Sequence, residues 1–191
     1  PIDSFLIFDA AYNITLGNHP FKDYWLITGP FVDYVQALFF LVFGVNWFSY
    51  TFHASIFNML LCLSSFYFFS RLGLNQLNAF LYSLGVAILA YPSIGTPFID
   101  HHSVILSLLS VYSIILGILF KNNIFWFLTS LFLVLSFFSK QIPSVYFLVL
   151  FFFTISFCLF YLKNLKKRNF IFLLSGILIP LLLIYCVFLI N

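Results

Sequence analysis

The sequence contains no glutamate, and charged residues of every kind make up only 7% of its 191 positions. A water-soluble domain carries about 25%, so this chain lacks the charge to cover a solvated surface. Disorder is excluded by the opposite excess: disordered segments are poor in aromatics, and here there are 30 Phe and 11 Tyr. A net charge of only +3, with no basic stripe, excludes nucleic acid as a partner. Cysteine is scarce as well. Cys62, Cys158 and Cys186 stand singly in apolar stretches, without disulfide or metal-ligand spacing, and read as small core hydrophobes. Glycine-rich phosphate loops, nucleophile elbows and paired-cysteine motifs are all missing. What is present is hydrophobicity: 63% of the chain, with a mean hydropathy of +1.12. The class is a polytopic, all-α membrane protein whose first partner is the lipid bilayer. Pro1 is not a start methionine and the last residues still read as a span, so the expectation is a fragment of a longer chain.

A crossing helix needs about 20 apolar residues. Stretches 47–72, 74–95, 102–120, 123–139, 142–162 and 170–190 fit or nearly fit, giving about six spans in a transmembrane region 47–191. Breaks fall at Gly73 with Asn75, at Pro92 to Pro97, at Asn122-Asn123, at Lys140-Gln141-Ile142-Pro143 and at the Lys163–Arg168 run. Segment 31–44 is too short to cross and reads as an interfacial or re-entrant helix. A second helix-like stretch, 4–16, ends at Gly17, a C-cap residue type. Residues 1–46 therefore form a loop on one membrane face, built from two surface helices.

Charge placement orients this layout. Arg71, Lys121, Lys163, Lys166, Lys167 and Arg168 fall on one side of a six-span protein, and only Lys22 and Lys140 on the other. Cytoplasmic loops carry the Lys/Arg excess, so the 1–46 face is expected to be extracytoplasmic. All five aspartates (Asp3, Asp9, Asp23, Asp33 and Asp100) belong to that same face, with His19, His101, His102 and Lys140, and His53 close by.

Each of these residues has a plain reading beside the chemical one. Asp3 precedes a helix-like stretch and could cap it. Asp9 suits a solvated helix face, Asp23 a local pair with Lys22, and Asp33 a favourable charge at a helix N-terminus. Asp100-His101-His102 could cap the next span, or supply a carboxylate and one imidazole to a divalent metal or a phosphate. Lys140, between two apolar runs, must pair or reach the interface; on the aspartate-bearing face it could also meet a lipid phosphate.

The order of motifs adds a resemblance. Asp3 and Tyr12 are followed by Gly17-Asn18-His19-Pro20-Phe21-Lys22-Asp23-Tyr24, then a Gly29-Pro30 step and Phe43-Gly44 before the first span. This stretch, from Asp3 to Phe57, resembles the first extracytoplasmic loop of GT-C glycosyltransferases. These are the protein-mannosyltransferase-like and lipopolysaccharide-sugar-transferase-like membrane enzymes, whose loop acid leads through a surface helix to a G-x-x-P-[YF]-x-D turn. Thr96-Pro97-Phe98-Ile99-Asp100 and Ser139-Lys140-Gln141 resemble their later acidic loop and outer lysine more loosely. The resemblance implies transfer of a sugar from a polyprenyl-phosphate donor to a glycan, lipid or protein acceptor on the outer face of a bacterial inner membrane. Under it Asp3 is the catalytic base or a metal ligand, and Asp9, Asp23, Asp100 and His102 serve the acceptor. Lys140 holds the lipid phosphate, and a divalent metal (Mg or Mn) would sit on Asp3 and Asp100. A transporter or lipid flippase is the alternative of a different class, and a membrane scaffold subunit a third.

Overall fold

The computed structural model describes residues 2–26, 28–162 and 166–190, with the side chains of 2–4, 161, 162 and 187–190 left aside. Among these residues eight α-helices follow one another: α1 (Ile2–Thr15), α2 (Phe31–Phe43), α3 (Trp47–Arg71), α4 (Gln76–Ala90), α5 (Ile99–Phe120), α6 (Asn123–Ser139), α7 (Gln141–Phe157) and α8 (Lys167–Ile190). A π-helical turn, Cys158–Leu162, extends α7. No strand occurs among the described residues.

Local chemistry sets the helix limits. Three asparagines act as N-caps: the side chains of Asn46, Asn75 and Asn122 accept from the backbone N–H of Ser49, Asn78 and Ile124 at 2.9, 2.8 and 3.1 Å. Such a cap satisfies one of the four amides that a helix start leaves unpaired. Gly17 follows α1 with φ +89, a left-handed conformation that costs glycine little. The extent of α1 and α2 agrees closely with stretches 4–16 and 31–44. Boundaries differ by three residues or more at α4, at α5 and at α8, which starts at Lys167 instead of 170. Helix α4 stops at Ala90, short of 95, because Pro92 offers no amide to continue it. Helix α5 starts at Ile99 instead of 102, with Phe98 as its N-cap, so Asp100, His101 and His102 belong to a first helical turn and not to a loop.

Among the described residues, four helices are long and apolar enough to cross a bilayer: α3, α5, α7 extended to Phe160, and α8 up to Cys186. The segments expected as the second and fourth spans form α4 and α6, of 15 and 17 residues, which fall short of that length. The described residues form an all-helical fold with four helices of crossing length, as a membrane protein requires.

Helix α6 lies between α5 and α8, α3 packs on α4, and α1 packs on α2. Without water to drive helices together, close approach depends on small residues. At Gly176 of α8 a Cβ would collide with Ser130 Oγ and the Phe127 carbonyl of α6. At Gly117 of α5 the fit is tight but without a collision, since a Cβ would come to 3.3 Å from the Trp126 indole. One buried cluster, including Ile7, Val32, Phe40, Tyr50 and Ile99, seats the α1–α2 pair on the ends of α3 and α5. A second, with Leu61, Phe68, Ile105 and Tyr112, joins α3 to α5 within the span.

Successive helices alternate in direction, and this separates the charges. One end of the bundle holds the starts of α3, α5 and α7 and the ends of α4 and α6. The opposite end carries Arg71, whose guanidinium lies 4.1 Å from the Phe120 ring centroid, and Lys121, Lys166 and Arg168 around a 240 Å³ cavity. Of the Lys163–Arg168 run, residues 163–165 lie outside the described residues.

Candidate functional site

The α1–α2 end of the bundle gathers the polar residues singled out from the sequence. Lys140 Nζ donates to Asp100 Oδ1 at 2.7 Å, tying the α6–α7 junction to the first turn of α5. Both side chains are partly open, 33% and 42% exposed. Asp100 and His101 line a 480 Å³ cavity whose other walls include Leu61, Pro92, Phe98 and Ile105. The acidic member of the pair thus forms part of the wall of a largely apolar cavity.

His102 is fully buried. Its Nδ1 donates to the Phe98 carbonyl at 2.9 Å, and its Nε2 lies 3.1 Å from His53 Nε2. On the far side of His53, Nδ1 lies 2.8 Å from Gln36 Oε1. Three helices, α2, α3 and α5, are joined through this row. Phe39 stacks on His53 with centroids 4.8 Å apart, and the Phe57 centroid lies 4.4 Å from that of His102. His101 points elsewhere, as adjacent helical residues must, into the cavity that Asp100 also lines. The three residues of Asp100-His101-His102 thus have different surroundings: the carboxylate meets Lys140, His101 lines the same cavity as Asp100, and the second imidazole meets His53.

The remaining aspartates separate into different environments. Asp9 is exposed on α1. Asp23 is also exposed, and its Oδ2 accepts from the His19 backbone N–H at 2.7 Å, closing the 19–23 turn instead of pairing across the site. Asp3 lies within the first turn of α1, and its side chain falls outside the described residues, so its proposed role is not described further.

Asp33 is the residue that sequence reasoning undervalued. It occupies the first turn of α2 but is only 3% exposed, and its Oδ2 has no partner. Burial pushes its carboxyl up to about 7 from an ordinary 3.8, because the charged form loses its hydration. Tyr24 and Tyr34 are both raised above their ordinary value by burial, with the Asp33 charge adding to the effect. The His19 Nδ1–Tyr34 hydroxyl contact of 3.0 Å links the 17–24 turn to α2 beside them. A signal was present in the sequence. Asp33, Gln36, Ala37 and Phe40 recur at helical spacing, and that face of α2 turns inward.

Below this end, serines take over. Ser136 Oγ lies 2.7 Å from both Ser107 Oγ and Ser144 Oγ and donates to the Ser103 carbonyl at 2.8 Å. These hydroxyls knit α5, α6 and α7 where the backbone breaks at Lys140. Among the described residues no group of three or more His, Cys, Asp or Glu is placed to hold a metal ion.

Comparison with protein-family models, curated proteins and solved structures gives no match in any of the three. Fold and composition define the class, a helical membrane protein with its acidic and imidazole groups collected at one end.

Proposed function

We propose that the chain is the membrane-embedded, substrate-facing part of a glycosyltransferase that moves a sugar from a polyprenyl-phosphate donor to an acceptor at the extracytoplasmic face. The observation that carries this reading is the Asp100–Lys140 pair beside an apolar cavity, at the polar end of a bundle whose span interiors have no charged side chain. Such a transfer asks for little. A carboxylate must accept the acceptor hydroxyl's proton, and a cation must meet the phosphate as negative charge develops on it. An apolar wall must also lodge the lipid.

In this reading α4 and α6 cross with the four longer helices, and the Lys/Arg-bearing end is cytoplasmic. Asp3 is the base or a metal ligand, and Lys140 meets the phosphate, exchanging Asp100 for it and freeing that carboxylate for the acceptor. Asp9 and Asp23, exposed on the same loop, are open to the acceptor. His102, enclosed by His53 and Phe57, acts only through its neighbours. If Mg or Mn takes part, Asp3 and Asp100 are the carboxylates available to it. A transporter would place ionisable groups near the bilayer midplane, and the aspartates lie at one end instead.

The test is a transfer assay on the full chain in membranes, using radiolabelled polyprenyl-phosphate sugars. Asp3→Asn and Lys140→Gln should each lower transfer at least a hundredfold while insertion and expression persist. Wild-type turnover by Asp3→Asn removes Asp3 from the mechanism. Activity unchanged by EDTA removes the metal. A wild-type chain that transfers none of the sugars overturns the reading.

A further inference from the structure

The buried row from Gln36 to Phe98 contains a conflict of hydrogen-bonding roles. The Phe98 carbonyl can only accept, so His102 carries its proton on Nδ1 and offers a lone pair at Nε2. With Gln36 Oε1 facing His53, the same logic places the His53 proton on Nδ1. Two neutral imidazoles would then present lone pairs to each other at 3.1 Å. Only a cation between them, or a reversal of one partner, relieves this.

A proton making one ring imidazolium would put a charge where both histidines are fully buried between Phe39 and Phe57. Neither histidine has a carboxylate partner, and an uncompensated buried charge is costly. A metal ion would need further ligands. The aromatic walls supply none, and no third metal-ligating group is in place among the described residues. Reversal of Gln36 is far cheaper. Its amide is nearly symmetric in shape, so exchanging oxygen and nitrogen costs no packing. As placed, Nε2 is a buried donor with no partner, and buried N–H groups are left orphaned more rarely than carbonyls.

We infer that Gln36, His53 and His102 form one neutral, one-way hydrogen-bond chain that latches the surface helix α2 to the start of α5. The Gln36 NH₂ donates to His53 Nδ1, His53 Nε2–H donates to His102 Nε2, and His102 Nδ1–H donates to the Phe98 carbonyl. Gln36 and His53 are positioning residues: they hold the helix that carries Asp33 against the turn that carries Asp100. The inference stands apart from any catalytic reading.

Nitrogen-15 NMR of the histidine-labelled full chain in lipid bilayers tests it. The expected spectrum has His53 as the Nε2–H tautomer, His102 as the Nδ1–H tautomer, and a coupling between their Nε2 atoms across the hydrogen bond. Two Nδ1–H tautomers, an imidazolium on either ring, or signals that shift on EDTA treatment would overturn it. Gln36→Leu, which cannot donate, should speed amide exchange along α2 at least tenfold; unchanged exchange removes the latch.

Discussion

Lys140 and Asp100, forty residues apart in sequence, are joined at 2.7 Å across the polar end of the bundle. The pair answers two demands at once. Lys140 interrupts two apolar helices and needs a counter-charge or water, and Asp100 stands in the first turn of α5, where a negative charge is favoured. Because both are a third or more exposed, the bond adds only ~1 kcal/mol or less to stability. Replacing Lys140 by Gln should therefore shift thermal unfolding in detergent micelles by a few degrees at most. A large loss of stability would mean that the pair is structural, and that Lys140 is not free to leave Asp100 for a lipid phosphate.

The Asp33 carboxyl makes stability depend on pH. Held at about 7 in the folded chain against an ordinary 3.8, it keeps a proton that the unfolded chain has already released between these values. Stability contributed by the neutral form is complete below pH ~4, falls as pH rises toward 7, and levels off above it. The span of the effect is a few kcal/mol, given about 1.4 kcal/mol per unit. Thermal unfolding of wild type and Asp33→Asn, followed side by side from pH 4.5 to 8, should show the wild type losing stability relative to the variant as pH rises, since the buried histidines act equally on both chains. A gap between the two that does not change with pH would contradict the burial of this carboxyl.

Two glycines in helices should respond oppositely to alanine. At Gly176 the added methyl meets Ser130 and the Phe127 carbonyl, so α8 must move off α6. Overpacking of this kind costs about 1–3 kcal/mol. Gly85, in α4, has nothing within 4 Å of the added atom. There alanine should be neutral or stabilising by up to ~1 kcal/mol through helix propensity. Unfolding midpoints of the two variants, compared side by side, decide the matter.

Ser136 sits at the centre of the hydroxyl network joining α5, α6 and α7, whereas Ser156 bonds to the Phe152 carbonyl one turn back in its own helix. Interhelical hydrogen bonds in membranes contribute roughly 0.6 kcal/mol on average and up to about 1.7. Ser136→Ala breaks several and should destabilise by ~1–2 kcal/mol, with Ser156→Ala within ~0.5 kcal/mol of wild type. Equal effects in steric-trapping measurements would show that the network adds nothing to the three-helix contact.

Much of the helical frame was legible because local chemistry writes it. Gly17 and Gly44 end helices, Asn46, Asn75 and Asn122 begin them, and apolar run length separates crossing helices from surface ones. The length criterion gave six spans by admitting runs that only nearly qualified. The structure trims 74–95 to 15 residues, since the apolar residues around Pro92 count toward hydropathy without being helical, and forms a helix over all 17 residues of 123–139, short of the crossing length.

The candidate site was legible as a list and not as an arrangement. Asp9, Asp23 and Asp100 were visible by charge alone, yet Asp23 closes its own turn and Asp100 belongs to Lys140. Asp33 looked like a helix-end charge until the packing of α2 enclosed it.

The scarcity of charge, with no glutamate at all, determined by itself that the chain belongs in a bilayer, since the free energy of removing apolar area from water depends on composition and not on contacts. The same holds for helix starts and stops, which depend on neighbours within one turn. Only the tertiary structure decided that His53 meets His102 across 49 positions, that Gln36 completes their row, and that Lys140 answers Asp100. Hydrogen bonds and ion pairs act over about 3 Å, and which distant residues come that close is set by how the helices stack.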